Sequence, residues 1–265
     1  EALPALKSVK ALSGVTSMVD LGIKNASLES FDGLEGLRSL RGMLSVEACP
    51  QLASLRGLEG LASVKGTIRL ADLPSLQSLS RLGGVAGALS GSLVLEDLPM
   101  LATLEGLEGL ASLGKDRRGG SLRIRRAGLL GSLSGLGGIR GQVPGAVEIL
   151  GTPALRSVEA LGGITSAGGM HIEGAAVETL DGLGSLRSLH GGQLRLHSLP
   201  KLSSIGALGN LSGGLQDGLF LDELPLLGSL EPLRGITHIK AGNVSVVSIE
   251  VGKCPLLRDL SGLAG

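Results

Sequence analysis

A leucine–glycine pattern returns at a fixed interval along almost the whole chain, and it limits the possible folds more than any other feature. Residues 51–74 show it best: QLASLRGLEGLASVKGTIRLADLP. The same string recurs as SLESFDGLEGLRSLRGMLSVEACP (27–50), SLQSLSRLGGVAGALSGSLVLEDLP (75–99) and AVETLDGLGSLRSLHGGQLRLHSLP (176–200). A period of roughly 24 residues marks a solenoid, whose repeats bury their apolar sides only against one another. The pattern predicts one repeat solenoid over 1–265 with about ten and a half turns.

Within a turn, two positions alternate apolar–x–apolar, the period of a strand with one buried face. The pairs are Leu21/Ile23, Leu44/Val46, Ile68/Leu70, Leu93/Leu95, Leu122/Ile124, Val147/Ile149, Met170/Ile172, Leu194/Leu196, Leu219/Leu221 and Ile249/Val251. Stacked, they would form one continuous parallel sheet. The preceding stretch, LxSLxGLxGLxSV, steps by three and fits neither an unbroken strand nor a long helix. Each interior Gly would cost a helix about 1 kcal/mol relative to Ala, so short extended pieces joined by corners are expected, with little or no helix. One position per turn is nearly always a hydroxyl: Ser8, Ser30, Ser54, Ser78, Thr103, Ser132, Ser157, Thr179, Ser204 and Ser229, then Asp259. These are expected to bond backbone groups in adjacent turns.

The phrase GSLVLEDLPMLATLEGLEGLASL (91–113) resembles the receptor L domain, a leucine-rich-repeat relative with the pattern G-x-L-x-I-x-x-N-P-x-L-x-S-L-x-x-L. Leucine-rich repeats more broadly also resemble the chain through their LxLxx(N/C) strand. The resemblance covers essentially the whole chain. It implies an all-β, right-handed, single-stranded parallel β-solenoid, usually extracellular and usually binding something. It places Asn25, Cys49, Thr152 and Cys254 on the family's inward Asn/Cys ladder, from which Leu73, Leu98, Leu199 and Leu224 depart. The disulfide-rich caps of receptor members are absent.

Composition narrows the function. The 24 basic and 24 acidic residues balance, so no global charge steers the chain toward nucleic acid or an anionic membrane. There is no Trp or Tyr and only two Phe, Phe31 and Phe220, which removes the stacking platforms of single-strand binders. No apolar run approaches the roughly 18–20 residues of a membrane span. The chain opens at Glu1 almost directly into a repeat, and residues 256–265 begin a turn without finishing it. A removed leader or a longer parent chain is the expectation. The two cysteines, Cys49 and Cys254, lie eight turns apart, roughly 38 Å at ~4.8 Å per turn, too far for a disulfide.

No convergent set of titratable groups suggests an enzyme, a metal site or a cofactor. His171, His190, His197 and His238 fall on different turns, and His171, between Met170 and Ile172, is expected to face outward. The paired glycines Gly162-Gly163 and Gly168-Gly169 read as corners, since no GK[ST] follows them. Turn five carries an insertion at 114–121, GKDRRGGS, followed by an arginine-bearing strand. Lys115, Arg117, Arg118, Arg123, Arg125 and Arg126 make up the one basic cluster, offset by Asp116. Such a cluster suits carboxylated or sulfated polysaccharide, because insertions in solenoids map to the binding face and Arg forks pair with these groups. Turns nine (212–218) and ten (239–246) are also irregular.

All three asparagines begin Asn-x-Ser sequons: Asn25-Ala-Ser27, Asn210-Leu-Ser212 and Asn243-Val-Ser245. They point to a glycosylated, secreted or cell-surface protein, with Asn210 and Asn243 at irregular corners. The expected role is a non-catalytic extracellular structural or interaction module that binds protein or assembles end to end through its solenoid ends, as a filament or surface layer. The alternative is a ligand-binding receptor-like ectodomain that uses the turn-five basic insertion.

Overall fold

The computed structural model describes residues 5–190, 192–240 and 249–263. Ten strands stack in parallel as one sheet in chain order: β1 (Leu21–Lys24), β2 (Leu44–Glu47), β3 (Ile68–Ala71), β4 (Leu93–Glu96), β5 (Gly120–Arg125), β6 (Gly141–Thr152), β7 (Ile164–Ala175), β8 (Leu194–His197), β9 (Leu219–Asp222) and β10 (Ile249–Gly252). The expected leucine pairs lie in register from rung to rung, as Leu21 with Leu44 and Ile23 with Val46. The all-β parallel solenoid is therefore as the repeat implies, with ten strands stacked along its main sheet and Ser188–Leu189 joining that sheet beside β7 as an eleventh.

On the adjoining wall, just before each main strand, shorter strands pair where the chain briefly extends, as Ser17–Met18 with Ser39–Leu40, and Ser39–Leu40 with Ser63–Val64. β6 and β7 are long enough to run through the intervening corner and join both walls. No α-helix occurs among the described residues; the period-three stretch forms 3-10 turns of three to five residues, such as Glu159–Leu161 and Gly206–Asn210. The inward Leu, Ile and Val side chains make one buried cluster from Val9 to Ile236, and it includes Phe31. Burying apolar area at roughly 25 cal/mol per Å² makes this stack the main stabilising contribution.

Each β1–β10 strand ends in a residue with left-handed backbone. The column reads Asn25, Ala48, Asp72, Asp97, Arg126, Gly151, Gly174, Ser198, Glu223 and Lys253. This corrects the placement of Asn25. With φ of 53° and an exposed side chain it occupies the corner, and Ala26, 2% exposed, fills the inward position shared by Cys49 and Thr152. Counting from the strand, Asn25 arrives one residue too early for the ladder.

The hydroxyl column also differs from expectation. Ser157 Oγ accepts from the N–H of Glu159 at 3.1 Å, and Ser132, Ser204 and Ser229 accept in the same way two residues on. The bonds stay within a turn, because a hydroxyl reaches the N–H two residues on without crossing to the next rung.

A third column sits two residues before each inward pair. There turns approach so closely that a Cβ on Gly145 would lie 2.4 Å from the Gly119 carbonyl oxygen, and one on Gly192 would lie 2.1 Å from that of Gly168. The result is a bare backbone strip beside the outer face of the sheet.

Candidate functional site on the outer sheet face

Strand alternation leaves two outward rows on the main sheet. The first reads Gly22, Ser45, Arg69, Val94, Arg123, Glu148, His171, Arg195, Phe220 and Glu250 from rung one to rung ten. The second reads Lys24, Glu47, Ala71, Glu96, Arg125, Leu150, Glu173, His197, Asp222 and Gly252. Unlike the apolar interior, these rows carry the chemistry.

Over the first six rungs the charges alternate and pair. Lys24 meets Glu47 at 3.4 Å, and Arg69 bridges Glu47 at 3.2 Å and Glu96 at 3.0 Å. Arg123 then contacts Glu148 at 3.1 Å and Asp116 at 3.3 Å, with Glu96 at 3.9 Å. Glu148 also accepts from Arg125. The Arg123 side chain is only 6% exposed, so this end of the ladder is a buried ionic cluster. Burial pushes the Glu148 carboxyl up, but hydrogen bonds from Arg123 and Arg125 outweigh it and hold the group below its usual range.

The six basic residues of turn five separate into two sets. Arg123 and Arg125 belong to the ladder, and Arg126 pairs with Asp97, its neighbour in the left-handed corner column. Lys115, Arg117 and Arg118 are exposed and have no acidic partner within ion-pair distance among the described residues. What shapes the insertion is Asp116. Its Oδ1 accepts the N–H groups of Arg118 (2.8 Å) and Gly120 (3.0 Å), and its Oδ2 accepts from Ser92 and Arg123, both at 3.3 Å. Burial raises the Asp116 carboxyl, but these backbone donors and Arg123 bring it below the ordinary value. The insertion is thus a ridge fixed over rungs four and five, where the outward Val94 is 2% exposed. It leaves Lys115 and Arg118 exposed at the surface.

Beyond the ridge a groove of about 860 Å³ follows the glycine strip toward rung nine; Lys115, Arg118, His171, His190, Gln193, Asp217 and Phe220 line it. His171 faces outward as expected and meets Glu173 at 3.0 Å. Burial holds the His171 ring below its ordinary value against the opposing pull of Glu173. His190, on a different repeat position, reaches the same groove; spacing gave no signal of this, because His190 lies on the corner and His171 on the strand. Arg195 was not singled out by the sequence either. Its guanidinium lies over the Phe220 ring, 4.0 Å from the centroid. Among the described residues no group of three or more His, Cys, Asp or Glu side chains is arranged to hold a metal ion.

The sequons also separate. Asn25 stands exposed on its corner, and no side-chain hydrogen bond engages it among the described residues. Asn210 is exposed, but its Nδ2 donates to the Gly184 carbonyl at 2.8 Å. Asn243, with most of the turn-ten irregularity, lies outside the described residues. Cys49 and Cys254 are free thiols. No helix among the described residues is long and apolar enough to cross a membrane.

Strand pairing and repeat define a leucine-rich parallel β-solenoid. No family model matches the sequence, and no curated protein matches it either. Among solved structures the chain is similar to an internalin from Listeria monocytogenes, with 15% sequence identity and a TM-score of 0.37 over 97% of this chain and 74% of that one.

Proposed function

We propose that this chain is a non-catalytic interaction module that works outside the cell and engages its partner through the outer face of the main sheet. One observation carries the reading. The ridge built on Asp116 holds Lys115, Arg117 and Arg118 exposed beside a groove on that face, without acidic partners among the described residues. An anionic polysaccharide or an acidic protein surface suits such a group. The exposed corner position of Asn25 supports passage through a secretory pathway.

The test places photo-cross-linking residues at Ser45 and Gln193 on the sheet side, and at Gln77 and Lys201 on the hydroxyl side. The protein is then exposed to extracellular matrix material. Adducts confined to the sheet-side positions are expected; equal yields from both sides contradict the reading.

A further inference from the structure

We propose that the ridge receives a sulfated polysaccharide, which runs from it toward Lys24 along the groove over rungs one to four. This rests on the outer face being the binding surface, and it names both the ligand class and the path that the ligand takes.

The ridge sets the charge density. Lys115, Arg117 and Arg118 fall within four residues, so their Cα atoms span at most about 10 Å. The acid among them does not offset them, because Asp116 is committed to Arg123, Ser92 and two backbone N–H groups. Three exposed cations therefore repel one another until a multiply charged anion lies against them. A chain with a single carboxylate on each sugar satisfies one of them and leaves the others unpaired. Sulfate groups, several to a disaccharide, can meet all three.

The path follows from which groove holds the whole set. All three cations line a groove of about 780 Å³ that leads back toward rung one, whereas the groove toward rung nine takes only Lys115 and Arg118. At the far end stands Lys24, its side chain 63% exposed and held only by Glu47 at 3.4 Å. An ammonium has three donors, so Lys24 keeps two for a ligand. From rung one to rung five is about 19 Å at ~4.8 Å per rung. Two cationic stations thus mark the ends of an extended site.

The floor between them suits sugar. Glu47 accepts, Arg69 donates, and the hydroxyls of Thr67 and Ser90 do both, so ring hydroxyls find partners of either kind. Among the described residues no aromatic side chain lines this groove, which denies a nucleic acid the stacking surface that its bases require.

The test titrates heparin into the whole chain at physiological ionic strength, with chemically desulfated heparin, poly-glutamate and single-stranded DNA as comparison probes. Heparin is expected to bind, and its desulfated form to bind about tenfold more weakly or worse. Lys115→Ala combined with Arg117→Ala and Arg118→Ala should abolish binding. Ser90→Glu, which adds negative charge at an exposed position in the groove, should weaken it about tenfold. Gln193→Glu, in the groove beyond the ridge, should weaken it less, and Lys201→Ala, on the hydroxyl side, should change nothing. Thermal unfolding checks that each variant is folded. Absence of heparin binding, or equal binding by the triple variant, overturns the proposal. Any comparison probe that binds as tightly as heparin overturns the ligand class, and equal losses from Gln193→Glu and Ser90→Glu overturn the path. If heparin fails while cross-linking still maps to the sheet side, the broader reading survives and this one does not.

Discussion

Arg123 on rung five and Glu148 on rung six meet at 3.1 Å across the outer face, with Arg123 almost fully enclosed. The pair joins the charge ladder of the first rungs to the ridge, since Arg123 also holds Asp116. Removing Glu148 takes the closest carboxylate from the enclosed Arg123 and leaves it Asp116 at 3.3 Å and Glu96 at 3.9 Å. Glu148→Leu should therefore cost about 1–3 kcal/mol in urea unfolding, less than for a buried charge left with no partner. Arg123→Met combined with Glu148→Gln should cost clearly less than the sum of the single changes, because the two residues are directly coupled. Additive losses would mean that the ladder is not an energetic unit.

Acid should open the same ladder. Burial raises the carboxyls of Glu148, Glu47 and Asp116, but their cationic and hydrogen-bonding partners win, so each is lowered from its ordinary value of 4.5, 4.5 or 3.8. A lowered folded-state value stabilises the fold above the unfolded-state value, and that stability is lost as pH falls through the folded one. Burial of His171 acts in the same direction, since the ring resists the charge it takes up in acid. Unfolding free energy should thus begin to decline below about pH 6.5, through His171, and fall more steeply below about pH 4.5, through the carboxylates, and Glu148→Gln should flatten the steeper part. A profile unchanged by Glu148→Gln would contradict this account.

The glycine strip predicts a sharp contrast between two conservative changes. Gly145→Ala puts a methyl group 2.4 Å from a backbone oxygen of the preceding turn, and Gly184→Ala meets nothing within 4 Å. The first should destabilise by about 1–3 kcal/mol, and by more if the turns cannot spread apart. The second should be close to neutral. Equal effects in thermal unfolding would show that the turns are not packed this closely.

Glycosylation should favour Asn25. Its side chain is exposed and not hydrogen-bonded on a corner, whereas the Asn210 amide is engaged by the Gly184 carbonyl. Peptide mass spectrometry on chain expressed through a secretory pathway should find the glycan at Asn25 at higher occupancy than at Asn210. The reverse order would contradict the assignment.

The sheet was legible because Leu44/Val46 and its equivalents state a strand period directly, and repetition ten times over leaves no ambiguity of register. The basic insertion was legible as a break in that repetition. Other features were not, and each for a physical reason. The left-handed corners hold Ala48, Arg126 and Lys253, residues with no preference for that backbone, so tertiary packing rather than local propensity sets them. The charge ladder links residues roughly 25 apart in sequence, as Arg69 with Glu96, and becomes visible only once rungs are aligned. The same alignment turns Arg123 from a candidate ligand contact into a buried partner of Glu148, Asp116 and Glu96. It also brings Arg195 onto Phe220, a pair that residue counting along one turn cannot reveal.

Every assignment on the outer face depends on ten rungs stacking in register, and a pair of spin labels measures that directly. Ser45→Cys on rung two and Glu250→Cys on rung ten share one outward row, and Cys49→Ala with Cys254→Ala removes the native thiols. Eight rises of ~4.8 Å predict a narrow label separation centred at roughly 38 Å. A broad distribution, or one centred at half that distance, would contradict the stacked solenoid and the binding face built on it.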